Sequence, residues 1–194
     1  MEKRSLEKID ETYAVALCAW ANQYNGRAHT GLNQIGTATM RLSSSKPNLQ
    51  NIPVRTELGK KIREAFIAPP GMVVADADYS QIELRVAAHK SRDATLVRYF
   101  AEGKDPHALT GYSLFPHIRQ AVDDNFGTVD SKEAQKFIKA TFGADREKGK
   151  RWNFMVLYGG GIHRAMSVFG VGEDEAREKI ELFFDTYPGI RGII

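Results

Sequence analysis

Little in this chain points to a special environment. Its single cysteine, Cys18, cannot build a disulfide framework, and no apolar run is long enough to span a bilayer. The opening residues, MEKRSLEKIDETY, are charged where a secretory signal needs an apolar core. The expected compartment is therefore the cytosol, with no membrane attachment. No HxxxH or Cys/His spacing suggests zinc, and His29, His89, His117 and His163 read as surface or internally satisfied histidines. Nor is there a strong charge of one sign: 27 Lys and Arg against 24 Asp and Glu leave a net +3. Such a total does not argue for a polyanionic partner, so the distribution of charge must carry that case. Internal repeats and low-complexity tracts are also missing. What is present, in 194 residues, is an ordinary globular composition, enough for one domain or for two lobes sharing a boundary.

Ser5 to Tyr24 reads as a helix, with Ser5 as N-cap, Glu7 in the first turn and apolar Ile9, Tyr13, Ala16, Leu17 and Trp20 at helical spacing. Cys18 falls on it as a packing residue, and Asn25 and Gly26 end it. Residues 27–56 suit short strands and ordered loops. Ile62 to Ile67 reads as a strand, PPG at 69–71 as a turn and Met72 to Ala77 as an apolar strand. Ser80 then opens a helix to about His89, with Glu83 at the third position. Further helices are expected over Asp93 to Glu102, from near Asp105, over VDSKEAQKFIKATF, over Asp145 to Tyr158 and over Asp174 to Tyr187, where Pro188 stops the last. Gly159, Gly160 and Gly161 break the helix before them.

Three stretches could carry chemistry. In VVADADYSQIELR, a carboxylate leaves an apolar strand just before a helix N-terminus, a place suited to a hard cation and a phosphate. Asp76 and Asp78, two apart on a strand, point to one face and repel unless a cation or proton lies between them. Taken alone, Ser80 with Glu83 is an ordinary capping box. In DREKGKRWNFMVLYGGG, Arg146, Lys150, Phe154 and Tyr158 recur every four residues. They put cations at one end of a helical stripe and rings at the other, as a triphosphate and a base would require. Taken alone, solvated charge plus buried rings is the simpler explanation of the stripe. In RLSSSKPNLQNIPVR, Arg, Asn and Gln without a helical period suit nucleic-acid backbones and minor-groove acceptors, or merely a polar loop.

Together and in this order the three stretches resemble the family A DNA polymerases, the bacterial and phage DNA polymerase I type. TATMRLSSSKPNLQNIPVRT is similar to the family's primer-template segment, DYSQIELR to its motif A, and Arg146, Lys150, Phe154, Tyr158 and Gly159 fit the RxxxKxxxFxxxYG of motif B. The motif resemblance spans about Gly26 to Leu114 and Arg146 onward. It implies a mixed α/β fold: part of a palm sheet over 26–95, carrying the primer-template segment and motif A, and a mainly helical fingers subdomain over 96–194. Residues 1–25 would be the end of a thumb or a linker helix. The implied activity is template-directed DNA synthesis in replication or repair, by nucleotidyl transfer from deoxynucleoside triphosphates to a primer 3′-OH through two Mg²⁺ ions.

The resemblance also implies roles. Asp78 and the Tyr79 backbone carbonyl would bind metal, and Glu83 would be the steric gate against a ribose 2′-OH. Arg146, Lys150 and His107 would grip the nucleotide phosphates, Gln81 would belong to the same nucleotide-binding set, and Phe154 would stack on the nucleotide and discriminate against dideoxynucleotides. Tyr158 would pack beside the template base, near Glu83. Arg41, Asn48, Gln50 and Asn51 would follow the primer-template minor groove, with Arg55 at its backbone. Lys150 also has the chemistry of a general acid toward pyrophosphate. In such a reaction positioning, a metal clamp and cations do most of the work.

One family feature does not occur in these 194 residues: the His-Asp-Glu segment of motif C, which carries the second metal-binding carboxylate. Asp76 is a poor substitute, because two carboxylates on one strand cannot clamp both sides of a metal pair. The expectation is a chain that does not polymerise alone: a fragment of a longer polymerase, one part of a split enzyme whose other chain carries motif C, or a non-catalytic primer-template-binding module. Intact Asp78, Lys150 and Tyr158 speak against an interaction protein that kept only the fold. Residues 116–143 read as an insertion of unknown role. An incomplete palm would also expose apolar sheet surface.

Overall fold

The structure, a computed structural model, describes residues 10–23, 25–54 and 56–194, and these divide into two compact units between Ala77 and Asp78. The expected N-cap Ser5, with Glu7 and Ile9, lies outside the described residues, as do Tyr24 and Arg55. None of the described helices is long and apolar enough to cross a membrane.

In the first unit a π-helical turn, Asp10–Val15, runs into helix α1, Ala16–Gln23. Asn25 and Gly26 take positive φ of 57° and 77°, and Gly26 N–H donates back to the Ala21 carbonyl at 2.8 Å, which ends the helix as its sequence foretold. Cys18 is exposed rather than packed. Strands β1, Gly31–Asn33, and β2, Ser43–Ser45, pair antiparallel with Gly31 opposite Ser45. Thr30 Oγ1 fastens the hairpin to the loop beyond it, 2.7 Å from Ser44 Oγ and 2.8 Å from the Pro47 carbonyl.

Two expected strands are absent. Helix α2, Glu57–Glu64, takes up the start of the first: Thr56 accepts from Gly59 N–H at 3.1 Å, Glu57 sits in the first turn, and Lys61 and Arg63 sit in the last. Those cap and dipole matches decide the conformation locally, where the short apolar alternation does not. Met72 to Ala77 forms no strand either. A strand exists only through its ladder; Val73 and Val74 instead stand 88% and 72% exposed.

The second unit is helical: α3 Ile82–Ser91, α4 Ala94–Ala101, α5 Pro106–Leu114, α6 Pro116–Phe126, α7 Lys132–Thr141, α8 Gly143–Leu157, α9 Ile162–Phe169, α10 Glu173–Thr186, and a closing 3₁₀ turn, Pro188–Gly192. With the β1–β2 hairpin the chain is of mixed α/β class, with helix dominant. Ser80 does not cap α3. The helix starts at Ile82 behind Gln81, which lies in the left-handed region at φ 55° and makes no side-chain cap. Asp93, Asp105 and Ser131 do cap α4, α5 and α7, accepting from Leu96, His107 and Ala134 N–H groups.

Every buried hydrophobic side chain among the described residues lies between Leu84 and Ile190. Trp152, Tyr99, Phe183 and Tyr187 are its largest members, each contributing about 2–3 kcal/mol of burial. Residues 116–143, in which the sequence shows a helical pattern but no chemistry, belong to this core through Ile118, Val122, Ala134 and Ile138, all wholly buried. Helix α6 was not foreseen, nor was α9, which begins directly after the glycine break. Asp93, 1% exposed, also accepts from Gly189 N–H at 2.8 Å, so the closing turn is tied to the start of α4.

Candidate functional site

The most extensive helix contact is α5 on α8. Gly149 permits it: a Cβ there would lie 3.1 Å from Gly111 N and 3.2 Å from the His107 carbonyl oxygen. Backbones this close bring the side chains at the start of α5 against the polar face of α8.

At that junction Arg146 Nε donates to Asp105 Oδ2 at 2.6 Å, with both side chains largely buried. The other oxygen of Asp105 accepts from His107 N–H at 3.0 Å, so one carboxylate caps α5 and holds the guanidinium. The Asp105 backbone N–H donates in turn to Gln135 Oε1 at 2.8 Å, and Gln135 Nε2 donates to the Val129 carbonyl at 3.1 Å. The segment 116–143 therefore braces the Arg146 anchor. His107, 2% exposed, stacks obliquely on Phe154 with ring centres 6.1 Å apart. Burial pushes its imidazole down to about 4; Arg146 and Lys150 push the same way, outweighing the opposite pull of Asp105. It is neutral at pH 7. Lys150 is half-buried one turn beyond Arg146.

The stripe thus comes together with His107: two cations, a neutral imidazole and a ring share one face. Tyr158 ends α8 at 65% exposure, and Gly159, with φ 76°, turns the chain away. Past it opens a groove of about 750 Å³, lined by Phe154, Tyr158, Arg151, His163, Arg164 and the three glycines. It offers an aromatic floor between cations.

Other predicted residues stand apart. Asp78 and Tyr79 are exposed, Tyr79 at 79%. Glu83 and Gln81 are half-buried, and Gln81 Oε1 is buried with no hydrogen-bond partner among the described residues. No group of three or more His, Cys, Asp or Glu side chains among the described residues is arranged to hold a metal ion. Asp78 and the Tyr79 carbonyl offer hard oxygen donors, the type Mg²⁺ takes when water and substrate phosphates complete its shell.

In the first unit the amide of Gln50 closes its own loop, accepting from Ser44 N–H at 3.1 Å and donating to the Leu42 carbonyl at 3.0 Å. Asn48 Oδ1 accepts from Gln50 N–H at 3.0 Å, and the Asn51 carbonyl accepts from Tyr13 OH at 2.6 Å. Arg41 is exposed. Asp105 and Gln135 are the members of this cluster that the sequence motifs do not include. The Asp-Pro pair at 105 and 106 marks a helix start and so hinted at the first; nothing local marks the second.

Comparison with known proteins agrees with this architecture. The family model for DNA polymerase family A matches residues 1–194, so the match includes residues 1–25 and 115–145, which the motifs left out. The chain belongs to DNA polymerase family A. It is 43% identical over its whole length to "DNA polymerase I, thermostable" of Thermus aquaticus, covering 21% of that protein. It is 44% identical over 191 residues to DNA polymerase I of Chloroflexus aurantiacus, which is 98% of this chain and 18% of that protein. The chain thus spans about a fifth of the length of the curated relatives it matches. Among solved structures, it resembles the POL domain of Pol1 from M. smegmatis in complex with DNA primer-template and dNTP, with a TM-score of 0.72 and 32% identity. That likeness covers 97% of this chain and 30% of the other.

Proposed function

We propose that this chain is the nucleotide-binding part of a template-directed DNA polymerase, working in the cytosol on primed template DNA and deoxynucleoside triphosphates. The observation that carries the reading is the junction of α5 and α8, where Arg146, Lys150, His107 and Phe154 meet on one face. Arg146, held by Asp105, and Lys150 one turn on suit the negative charge of a triphosphate, and a half-buried ring beside them suits a base or sugar. Lys150, the cation nearer the exposed end of the stripe, would stabilise the leaving pyrophosphate and hand it a proton. Glu83 and Gln81 would complete the nucleotide pocket, with Tyr158 beside the template base. Arg41, Asn48, Gln50, Asn51 and Arg55 would follow the primer-template duplex, and the internal bonds of Gln50 and Asn48 suit a loop whose shape, rather than whose free amides, meets the DNA. In this reading 1–25 is a thumb or linker helix, 26–95 palm and 96–194 fingers.

Mg²⁺ bound at Asp78 and the Tyr79 carbonyl would supply charge neutralisation at the reacting phosphate. A two-metal clamp asks for more than one carboxylate, and Asp78 is the only one this reading assigns. The 194 residues alone should therefore not extend a primer until a chain bearing the second carboxylate is added.

Primer extension by the purified chain with Mg²⁺ and the four deoxynucleotides, with and without such a partner, tests this. Extension that appears with the partner and is lost in Lys150→Ala supports the reading. Salt-sensitive primer-template binding with no extension under either condition would make the chain a binding module instead.

A further inference from the structure

Behind His107 lies a chain of buried polar groups that the proposed reaction does not use. His107 Nδ1 lies 2.9 Å from Nδ2 of Asn153, a residue with no solvent exposure. Asn153 Oδ1 is 2.7 Å from Thr110 Oγ1, which is 2.9 Å from Tyr187 OH. Both hydroxyls also reach the Pro106 carbonyl, at 3.0 Å and 2.9 Å. Two hydroxyl protons serve these contacts: with Tyr187 donating to Thr110 or to the Pro106 carbonyl, Thr110 can donate to Asn153 Oδ1.

An amide can face an imidazole with either end, and the distances choose between them. At 2.7 Å the Thr110–Asn153 contact is a hydroxyl-to-oxygen length, short for an amide N–H on a hydroxyl, whereas 2.9 Å fits N–H to a ring nitrogen. The amide nitrogen therefore faces the ring, and it can only donate. Nδ1 must then be bare, which leaves the single proton of the neutral ring on Nε2.

We propose that Asn153, oriented by Thr110 and Tyr187, is a positioning residue that holds His107 as the Nε2–H tautomer, so that the neutral imidazole donates to a phosphate oxygen. The opposite tautomer would turn a lone pair toward the anion. This rests on the reading above that His107 meets the nucleotide phosphates. Arg146 and Lys150 then supply the charge at the site, and His107 supplies a directed donor that does not change its protonation between pH 6 and 8.

Long-range proton–nitrogen correlation spectra of the ¹⁵N-histidine-labelled chain at pH 7 test it, with His107 assigned by its loss in His107→Gln. The expected spectrum shows Nε2 protonated and Nδ1 bare. In Asn153→Asp the carboxylate only accepts, so the proton should move to Nδ1 and the titration midpoint of His107 should rise. A proton on Nδ1 in the unaltered chain overturns the proposal, as does an unchanged tautomer in Asn153→Asp. Should that variant not fold, Thr110→Val frees the amide to turn, and a mixture of tautomers is expected; an unmixed Nε2–H signal there overturns the role of Thr110 and with it the proposal. Inorganic pyrophosphate added to the unaltered chain should shift the Nε2 proton. The expected tautomer with no such shift would sink the phosphate reading of His107 while leaving Asn153 as the residue that sets the tautomer.

Discussion

Asp105 shows how one side chain can serve two ends. It caps α5 through one oxygen and anchors Arg146 through the other. Asp105→Asn keeps the cap but removes the charge, so the urea midpoint at pH 7 should fall by an amount equivalent to about 1–2 kcal/mol. An unchanged midpoint would mean that the ion pair contributes nothing net. His107 makes a separate prediction with acid. Its folded-state value of about 4 lies below the usual 6.5, so between these limits the unfolded chain holds a proton that the folded chain does not. Stability should therefore fall as pH drops from 6.5 toward 4, by about 3 kcal/mol in all, and flatten below. Chemical denaturation at stepped pH reads this directly, and the slope should largely vanish in His107→Gln. Asp145, hydrogen-bonded by Lys148, is held below the usual carboxylate range. At Asp130 burial pushes upward, but bonds from Arg98 and Tyr99 outweigh it and hold it low as well. Their losses come at still lower pH.

At the scale of elements, the α5–α8 pair depends on Gly149. Gly149→Ala places a methyl against two backbone atoms that side-chain motion cannot move, so α5 must shift by a few tenths of an ångström. A loss of about 1–3 kcal/mol in thermal or urea unfolding is expected, and, under the function proposed above, weaker nucleotide binding because His107 travels with α5. The same pair shows what the sequence made legible. The α8 stripe could be read because its residues recur at the helix's own period and carry a polymerase-like order of cation, cation and ring. Asn153 sits beside Phe154 unmarked, because its partners Thr110 and His107 lie 43 and 46 residues from it, and Tyr187 lies 77 from Thr110. Only the assembled helices bring them together. Over Ile62 to Ile67 the apolar alternation suggests a strand, but an alternation of a few residues cannot outvote the Thr56 cap of α2. Met72 to Ala77 departs from expectation for the opposite reason: its apolar composition fits a strand, but strand formation depends on neighbours that local pattern does not contain.

Over the whole molecule, burial is uneven. Leu32, Ile35, Met40, Ile67 and Val73 of the first unit are exposed, while the second unit holds the buried core. Amide hydrogen exchange should follow that division, with α5, α8 and α10 protected for far longer than β1 and β2. Equal protection in both units would contradict the packing described. The bond from Gly189 to Asp93 carries a last consequence. Ile190 is fully buried, the closing 3₁₀ turn packs against α3, and α3 is the first helix of its unit. The path that leaves α3 thus winds through the core and closes on the junction of α3 and α4, so one hydrogen bond latches a loop of 96 residues, and the closing turn cannot fray without uncovering Ile190.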